Sequence, residues 1–191
     1  IYVRCDAPPG SGTGSSSAIS VALIGLLNRI QSMKLSPHEV AQLARRLEVS
    51  ELNIAGGKQD YYAAALGGIN FLEFHDPAVS SSRLQVAPHI RRELEKRLLL
   101  VYTGQSRLSG NIISRVMGAY ERGEKKTVEA LRNLKRIAHE TKSALLSGDL
   151  ETFARLLHEN WQNQKALDES TTTPTIERIF EVAYANGALG G

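Results

Sequence analysis

Residues 8–17 have the sequence PPGSGTGSSS, and the apolar sequence AISVALIGLL follows them at once at residues 18–27. The first stretch contains only turn-forming residues and small hydroxyl residues, whereas the second predicts a helix that is buried nearly all round. Residues 1–4 predict a strand before them, and Cys5 would be a buried thiol beside it. The order of strand, glycine-rich loop and buried helix is the feature from which the fold prediction starts.

This glycine-rich loop has the properties of a phosphate-binding site. Its glycines allow positive φ angles and a close approach of the backbone to a ligand, and the following helix offers unpaired N–H groups at the positive end of its dipole. The serine hydroxyls could bind phosphate oxygens or Mg²⁺. The loop lacks the lysine that closes a Walker A loop, and it is not a Gly-x-Gly-x-x-Gly dinucleotide motif. The alternative is a flexible surface linker, against which the apolar helix argues.

The rest of the chain predicts a mixed half followed by a helical half. Residues 36–39, SPHE, are a capping box with proline at the first helical position, and residues 69–74 alternate as a strand does. Residues 98–104, LLLVYTG, predict a strand that is buried on both faces. Helices are predicted over residues 125–146 and 150–167, and Thr173 and Pro174 would begin a last helix that ends near residues 186–187. The composition changes between residues 76 and 97, which predicts a domain boundary there, with domains at 1–90 and 91–191.

Composition excludes several classes of protein. The chain has 191 residues, of which 42% are hydrophobic and 23% charged, as in a globular protein. No apolar run approaches the roughly 20 residues of a membrane span, so no membrane partner is expected. The net charge of 23 basic minus 20 acidic residues, +3, does not indicate nucleic acid as a partner. A single cysteine, Cys5, excludes an intrachain disulfide and fits the cytoplasm.

Asp60 is the candidate general base. It follows Gly56, Gly57 and Lys58 in a glycine-initiated turn. A carboxylate can accept the proton of a hydroxyl group that attacks phosphorus, and a nearby ammonium group would keep that carboxylate ionised. The alternative for such a pair is a solvated surface contact or a helix cap.

These residues resemble known motifs of one enzyme family. Residues 8–18, PPGSGTGSSSA, are similar to the second motif of the GHMP small-molecule kinases. Residues 56–71, GGKQDYYAAALGGINF, and 102–107, YTGQSR, resemble the heptose 7-phosphate kinase branch of that family. The resemblance extends over essentially the whole chain. It implies an α+β protein with the GHMP kinase fold, in which a ribosomal S5 domain 2-like N-terminal domain is followed by a ferredoxin-like C-terminal domain, with the active site between them.

The resemblance also implies an incomplete set of motifs. The chain begins at Ile1 rather than at a methionine, and the first family motif is absent. Only the start of the third motif, GALGG at residues 187–191, is present. We therefore expect an internal fragment of a longer enzyme.

The resemblance assigns roles to individual residues. Asp60 would be the catalytic base. Ser16 would bind Mg²⁺, together with Glu48 or, as a second choice, Glu51. Lys58 and Arg107 would hold the phosphate already present on the sugar, and Gly57 and Gln59 would complete the sugar site. The ATP phosphates would be held by the loop residues Pro9, Gly10, Ser11, Gly12, Thr13, Gly14, Ser15, Ser16 and Ser17.

The function implied is ATP- and Mg²⁺-dependent phosphorylation of the anomeric hydroxyl of a heptose 7-phosphate. Two alternatives stay open: a kinase for an unphosphorylated sugar such as fucose or galactose, and a truncated, inactive GHMP-like binding protein. The expected partner is a small sugar or sugar phosphate, and a homodimer is a candidate assembly.

Overall fold

The protein is described by a computed structural model over residues 2–8, 10–53, 56–104 and 110–191, without the side chains of residues 110 and 111. The chain forms two compact units. The first contains the described residues up to Arg83 together with residues 104, 110 and 111, and the second contains residues 84–103 and 112–191. The units thus divide between Arg83 and Leu84, whereas the domain boundary at residue 90 stays a prediction.

In its described residues, the first unit contains three α-helices, one π-helical turn and a β-hairpin. Its elements are α1 (Ser15–Ile30), α2 (Pro37–Arg46), a π-helical turn (Leu47–Glu51), α3 (Gln59–Leu66), β1 (Asn70–His75) and β2 (Ala78–Arg83). The predicted capping box begins α2: the Ser36 hydroxyl accepts the Glu39 N–H, and the Glu39 carboxylate accepts the Ser36 N–H at 2.7 Å. The strand predicted at residues 69–74 is confirmed as β1, which pairs antiparallel with β2.

The core of the first unit lies among its three helices. It is formed by one residue of α1, three of α2 and two of α3: Val21, Val40, Ala41, Ala44, Tyr61 and Tyr62. Leu72 of β1 and Val79 of β2 pack against this cluster. Because α1 and α3 share this core, the loop before α1 and the first turn of α3 are held near each other.

The second unit is helical in its described part. It contains α4 (Pro88–Arg97), most of α5 (Gly110–Glu121), α6 (Lys125–Ser147), α7 (Leu150–Leu167) and α8 (Pro174–Ala185). The two long helices α6 and α7 form a hairpin with Ile137, Ala144 and Leu156 in its core. Asp149 caps α7 by accepting the Thr152 N–H, and Thr173 caps α8. The three helices predicted in this part of the chain are confirmed.

The two strands predicted at residues 1–4 and 98–104 are wrong over the described residues. Tyr2 to Arg4 and residues 98–103 have no regular structure, and Ile1 lies outside the described part. Leu99 and Leu100 are each 84% exposed, and Cys5 is exposed rather than buried. A strand requires a hydrogen-bonding neighbour, and β1 and β2 are the only paired strands in the described part of the chain.

Helix α1 is also more exposed than its sequence predicts. Only Ser17 and Val21 are buried, whereas Leu26, Leu27 and Ile30 lie on the surface. Helices α2 and α3 pack on α1 and cover one face of it. Among the described helices, none combines the length and the apolar character that crossing a bilayer demands.

Candidate active site

The glycine-rich loop leads directly into the first turn of α1. Gly10, Gly12 and Gly14 have φ angles of 68°, 74° and 71°, a backbone region that glycine adopts without strain. Gly14 is the N-cap residue, and its carbonyl accepts the Ala18 N–H at 3.0 Å. No side chain of the described residues caps this end of α1, so its first-turn N–H groups can bind an anion.

Hydroxyl groups surround this helix end. Ser11 Oγ and Thr13 Oγ1 lie 2.8 Å apart on the loop. Ser16 is exposed, whereas Ser17 is buried below it. The predicted nucleotide-binding residue Pro9 lies outside the described residues.

Asp60 lies against the loop. A Cβ atom built on Gly14 would be 3.1 Å from Asp60 Cγ and 3.4 Å from Asp60 Oδ2, so the absence of a side chain at Gly14 lets the carboxyl group approach. Asp60 is the second residue of α3, and it is exposed. The structure thus places the candidate base beside the candidate phosphate loop, although 45 residues separate them in sequence.

A buried polar chain lies next to this contact. The Tyr61 hydroxyl donates to Glu48 Oε2 at 2.9 Å, and the nearby Ser17 side chain acts to lower the pKa of Tyr61. Burial raises the pKa of Tyr61 to about 12, and the hydrogen bond to Glu48 acts in the same direction. The tyrosine is therefore protonated and able to donate throughout the physiological pH range. Sequence reasoning missed Tyr61, whose only signal was its position directly after Asp60.

The structure describes some of the residues that were predicted to bind the sugar phosphate. Lys58 Nζ donates to Asp76 Oδ1 at 2.7 Å, and this hydrogen bond holds the pKa of Asp76 below its usual value. A Cβ atom on Gly57 would overlap the Gln59 side chain, so that amide folds back over Gly57. Arg107 lies outside the described residues.

The donors predicted for Mg²⁺ are a serine hydroxyl and a carboxylate. Both are hard oxygen ligands of the kind that Mg²⁺ uses together with phosphate oxygens and water. Glu48 Oε2 accepts the hydrogen bond from the Tyr61 hydroxyl, and Glu51 is exposed at the end of the π-helical turn. Among the described residues, no group of three or more His, Cys, Asp or Glu side chains is placed so that it could hold a metal ion by itself. The donor chemistry fits Mg²⁺ held jointly with a nucleotide, and the choice between Glu48 and Glu51 stays a prediction.

Two family models match the chain, the GHMP kinases N terminal domain at residues 1–68 and the GHMP kinases C terminal at residues 141–191. The chain belongs to the GHMP kinase family. Both matches fall in the order that the sequence predicts, so the predicted GHMP kinase fold is confirmed.

Individual relatives are heptose and fucose kinases. The chain is 35% identical, over 192 residues, to the D-glycero-alpha-D-manno-heptose 7-phosphate kinase of Campylobacter jejuni, and it covers 56% of that protein. All of this chain takes part in that match. It is 29% identical over 194 residues to a bifunctional fucokinase/GDP-fucose pyrophosphorylase of Arabidopsis thaliana, covering 98% of this chain and 18% of that protein.

A solved structure is similar as well. It is a D-glycero-D-manno-heptose 1-phosphate kinase from Bacteroides thetaiotaomicron, with 34% identity and a TM-score of 0.72. The match covers 97% of this chain and 51% of that one. The chain therefore spans about half the length of the heptose kinases that it matches.

Proposed function

We propose that this protein transfers the γ-phosphoryl group of ATP to the anomeric hydroxyl of a heptose 7-phosphate. The observation that carries the proposal is the contact between Gly14 and Asp60. It brings an exposed carboxylate to the loop and helix end that have the properties of a phosphate site. The heptose kinases among the relatives support the choice of acceptor.

The triphosphate would lie over the glycine-rich loop. Residues 10–14 present backbone without bulky side chains, and the first-turn N–H groups of α1 face the same region. The hydroxyl groups of Ser11, Ser15 and Ser16 would donate to phosphate oxygens. These contacts neutralise charge and fix the γ-phosphorus in place, which is the main task of the protein in phosphoryl transfer.

Asp60 would accept the proton of the acceptor. The sugar oxygen forms a bond to the γ-phosphorus while the bond from that phosphorus to the β,γ-bridging oxygen breaks. ADP leaves with the electron pair of the broken bond, and the hydroxyl proton passes to an Asp60 carboxylate oxygen. General-base catalysis of this kind contributes about 10² to 10⁴-fold in rate.

Mg²⁺, when bound, would neutralise charge on the β- and γ-phosphate oxygens. Ser16 and Glu48 are the residues proposed to hold it. The exposed hydroxyl of Ser16 follows the N-terminus of α1 directly, and the Glu48 carboxylate is fixed by Tyr61.

Lys58 and Arg107 are proposed to hold the 7-phosphate, beside Gly57 and Gln59. Lys58 is paired with Asp76, whose side chain is 89% exposed. Because a solvated carboxylate gives up an ion pair at little cost, a bound phosphate can replace Asp76 as the partner of Lys58.

The test is an ATP-coupled transfer assay on heptose 7-phosphate, with Asp60→Asn as the variant. We expect turnover to fall by about 10² to 10⁴-fold while the Kd of ATP changes little, because the base acts on the acceptor. Asp6→Asn is the control, since Asp6 is an exposed carboxylate of the same unit that pairs with Arg4. Equal losses of turnover and ATP affinity in Asp60→Asn, or no loss, would contradict the proposal.

A neutral sugar is the second candidate acceptor, and the fucokinase relative favours it. In that case fucose or galactose is phosphorylated, and Arg107→Ala scarcely changes the rate. The third candidate, an inactive binding protein, predicts calorimetric binding of ATP with no transfer to any sugar in the panel.

The cytoplasm is the proposed location, because the single cysteine, Cys5, is an exposed free thiol of the kind that a reducing compartment preserves. The homodimer stays a prediction, which sedimentation equilibrium tests directly.

A further inference from the structure

Three polar side chains from three elements, Ser17, Tyr61 and Glu48, form a buried polar chain, in which Tyr61 and Glu48 are joined by a hydrogen bond. Ser17 belongs to the first turn of α1, Glu48 to the π-helical turn after α2, and Tyr61 to the first turn of α3. Their exposed fractions are 5%, 8% and 3%. Tyr61 is the centre of the chain, because its hydroxyl contacts both other residues.

Burying these groups is costly unless each finds a partner. A carboxylate taken from water is the most expensive of the three, and the Tyr61 hydroxyl donates to it. Gly56 closes over this hydroxyl, since a Cβ built on Gly56 would lie 3.7 Å from the Tyr61 oxygen. An apolar cluster would fill the same space at lower cost, so the polar chain calls for a role beyond packing.

The same turn of α3 holds the candidate base. Asp60 and Tyr61 are consecutive, so their side chains leave the helix about 100° apart. Asp60 lies against Gly14, and Tyr61 contacts Ser17 one helical turn further along α1. The first turn of α3 therefore contacts the first turn of α1 at two points, one that faces the surface and one that is buried.

We propose that Tyr61 is a positioning residue, whose hydroxyl fixes the Glu48 carboxylate and the first turn of α1 so that Asp60 stays aligned with the phosphate loop. This inference rests on the proposed phosphoryl transfer. The hydroxyl is buried, and in this role it acts through Glu48 and Ser17.

The test is Tyr61→Phe, which removes the hydroxyl and keeps the ring. We expect kcat to fall by about tenfold or more, because the Glu48 carboxylate loses a buried donor, while the KM for ATP changes less than about threefold. The matched control is Tyr62→Phe. Tyr62 is buried on the same helix, and its ring packs edge-on against His38 and Phe74.

A second measurement does not depend on activity. Amide hydrogen exchange of residues 17–20 should become at least about tenfold faster in Tyr61→Phe and stay unchanged in Tyr62→Phe, because only the first substitution frees the start of α1. Ser17→Ala should have the same effect on exchange with a smaller amplitude. If Tyr61→Phe does not fold, the positioning role is tested by comparing the amide exchange of residues 17–20 in Ser17→Ala with that in Tyr62→Phe.

The outcomes separate this inference from the proposed function. An active wild type, with Tyr61→Phe matching Tyr62→Phe in kcat and in exchange, overturns the positioning role and leaves phosphoryl transfer standing. Faster exchange in Tyr61→Phe without loss of kcat also overturns it. A wild type that transfers phosphate to no sugar refutes the proposed function, and the positioning role falls with it.

Discussion

Gly14→Ala is the sharpest perturbation that the site offers. Gly14 has φ 71° and ψ 24°, the left-handed region, where an L-residue costs about 1–2 kcal/mol relative to its normal conformation. The new Cβ would also lie 3.1 Å from Asp60 Cγ and 3.2 Å from Asp60 Cβ. Carbon atoms normally approach to about 3.5–4.0 Å, so the Asp60 side chain must move by roughly half an ångström.

This displacement should affect catalysis more than stability. We expect unfolding to become easier by about 1–2 kcal/mol, which lowers the Tm by roughly 2–8 °C for a chain of this length. A misplacement of about 1 Å at a reacting group can cost on the order of 10²-fold, so we expect turnover to fall by about 10 to 100-fold. Calorimetry and the coupled transfer assay measure the two effects separately.

The matched control is Gly123→Ala in the second unit. Gly123 has φ 69°, and a Cβ built there meets no atom within 4 Å. The Gly123→Ala variant should lose about as much stability as Gly14→Ala and keep the turnover of the wild type. If the two variants lose turnover equally, the contact between Gly14 and Asp60 does not set the position of the base, and the reasoning fails.

Three further predictions concern stability. Gly148→Ala should lower the free energy of unfolding in urea by about 1–3 kcal/mol, because Gly148 has φ 78° and the new Cβ would lie 2.8 Å from Ile90 Cδ1. The same substitution in an Ile90→Val background, which lacks Cδ1, should cost less. An equal cost in both backgrounds would show that the clash is unimportant. Hydrogen bonds from Arg115 hold the pKa of Asp168 well below its ordinary value of 3.8, so this contribution to stability is complete above that value and is lost as the pH falls below it. Asp168→Asn should therefore be less stable than the wild type at pH 7, with a difference that shrinks below about pH 4 in acid-unfolding curves; a constant difference would contradict this. Ser36→Ala should lower the free energy of unfolding by about 1 kcal/mol through loss of the cap of α2, and an unchanged Tm would show that the capping box contributes nothing.

The features that the sequence predicted correctly depend on neighbouring residues. Ser36 begins α2, Thr173 begins α8, and Gly148 separates α6 from α7, each through backbone geometry or hydrogen bonds that span a few residues. The positive φ angles of the glycine-rich loop are likewise a local property. Such signals can be read from one segment because the atoms that satisfy them lie in that segment.

The features that failed depend on distant partners. The apolar residues 98–102 predict burial, but a sequence pattern does not state which strand would pair with them, and they are exposed in the described structure. The same holds for the outer face of α1. Tyr61 was missed because the role proposed for it depends on Glu48, 13 residues before it, and on Ser17, 44 residues before it.

The candidate site also combines properties of single segments with contacts that depend on distant residues. The residue types alone determined that residues 10–17 suit a phosphate and that Asp60 can accept a proton, since positive φ, free N–H groups and a carboxylate are properties of the residues themselves. Only the packing of α1 against α3 decided that Asp60 lies on Gly14 while Tyr61 turns inward to Glu48. The physical reason is that the shared core around Val21 and Tyr62 fixes the distance between two helices that the covalent chain leaves free.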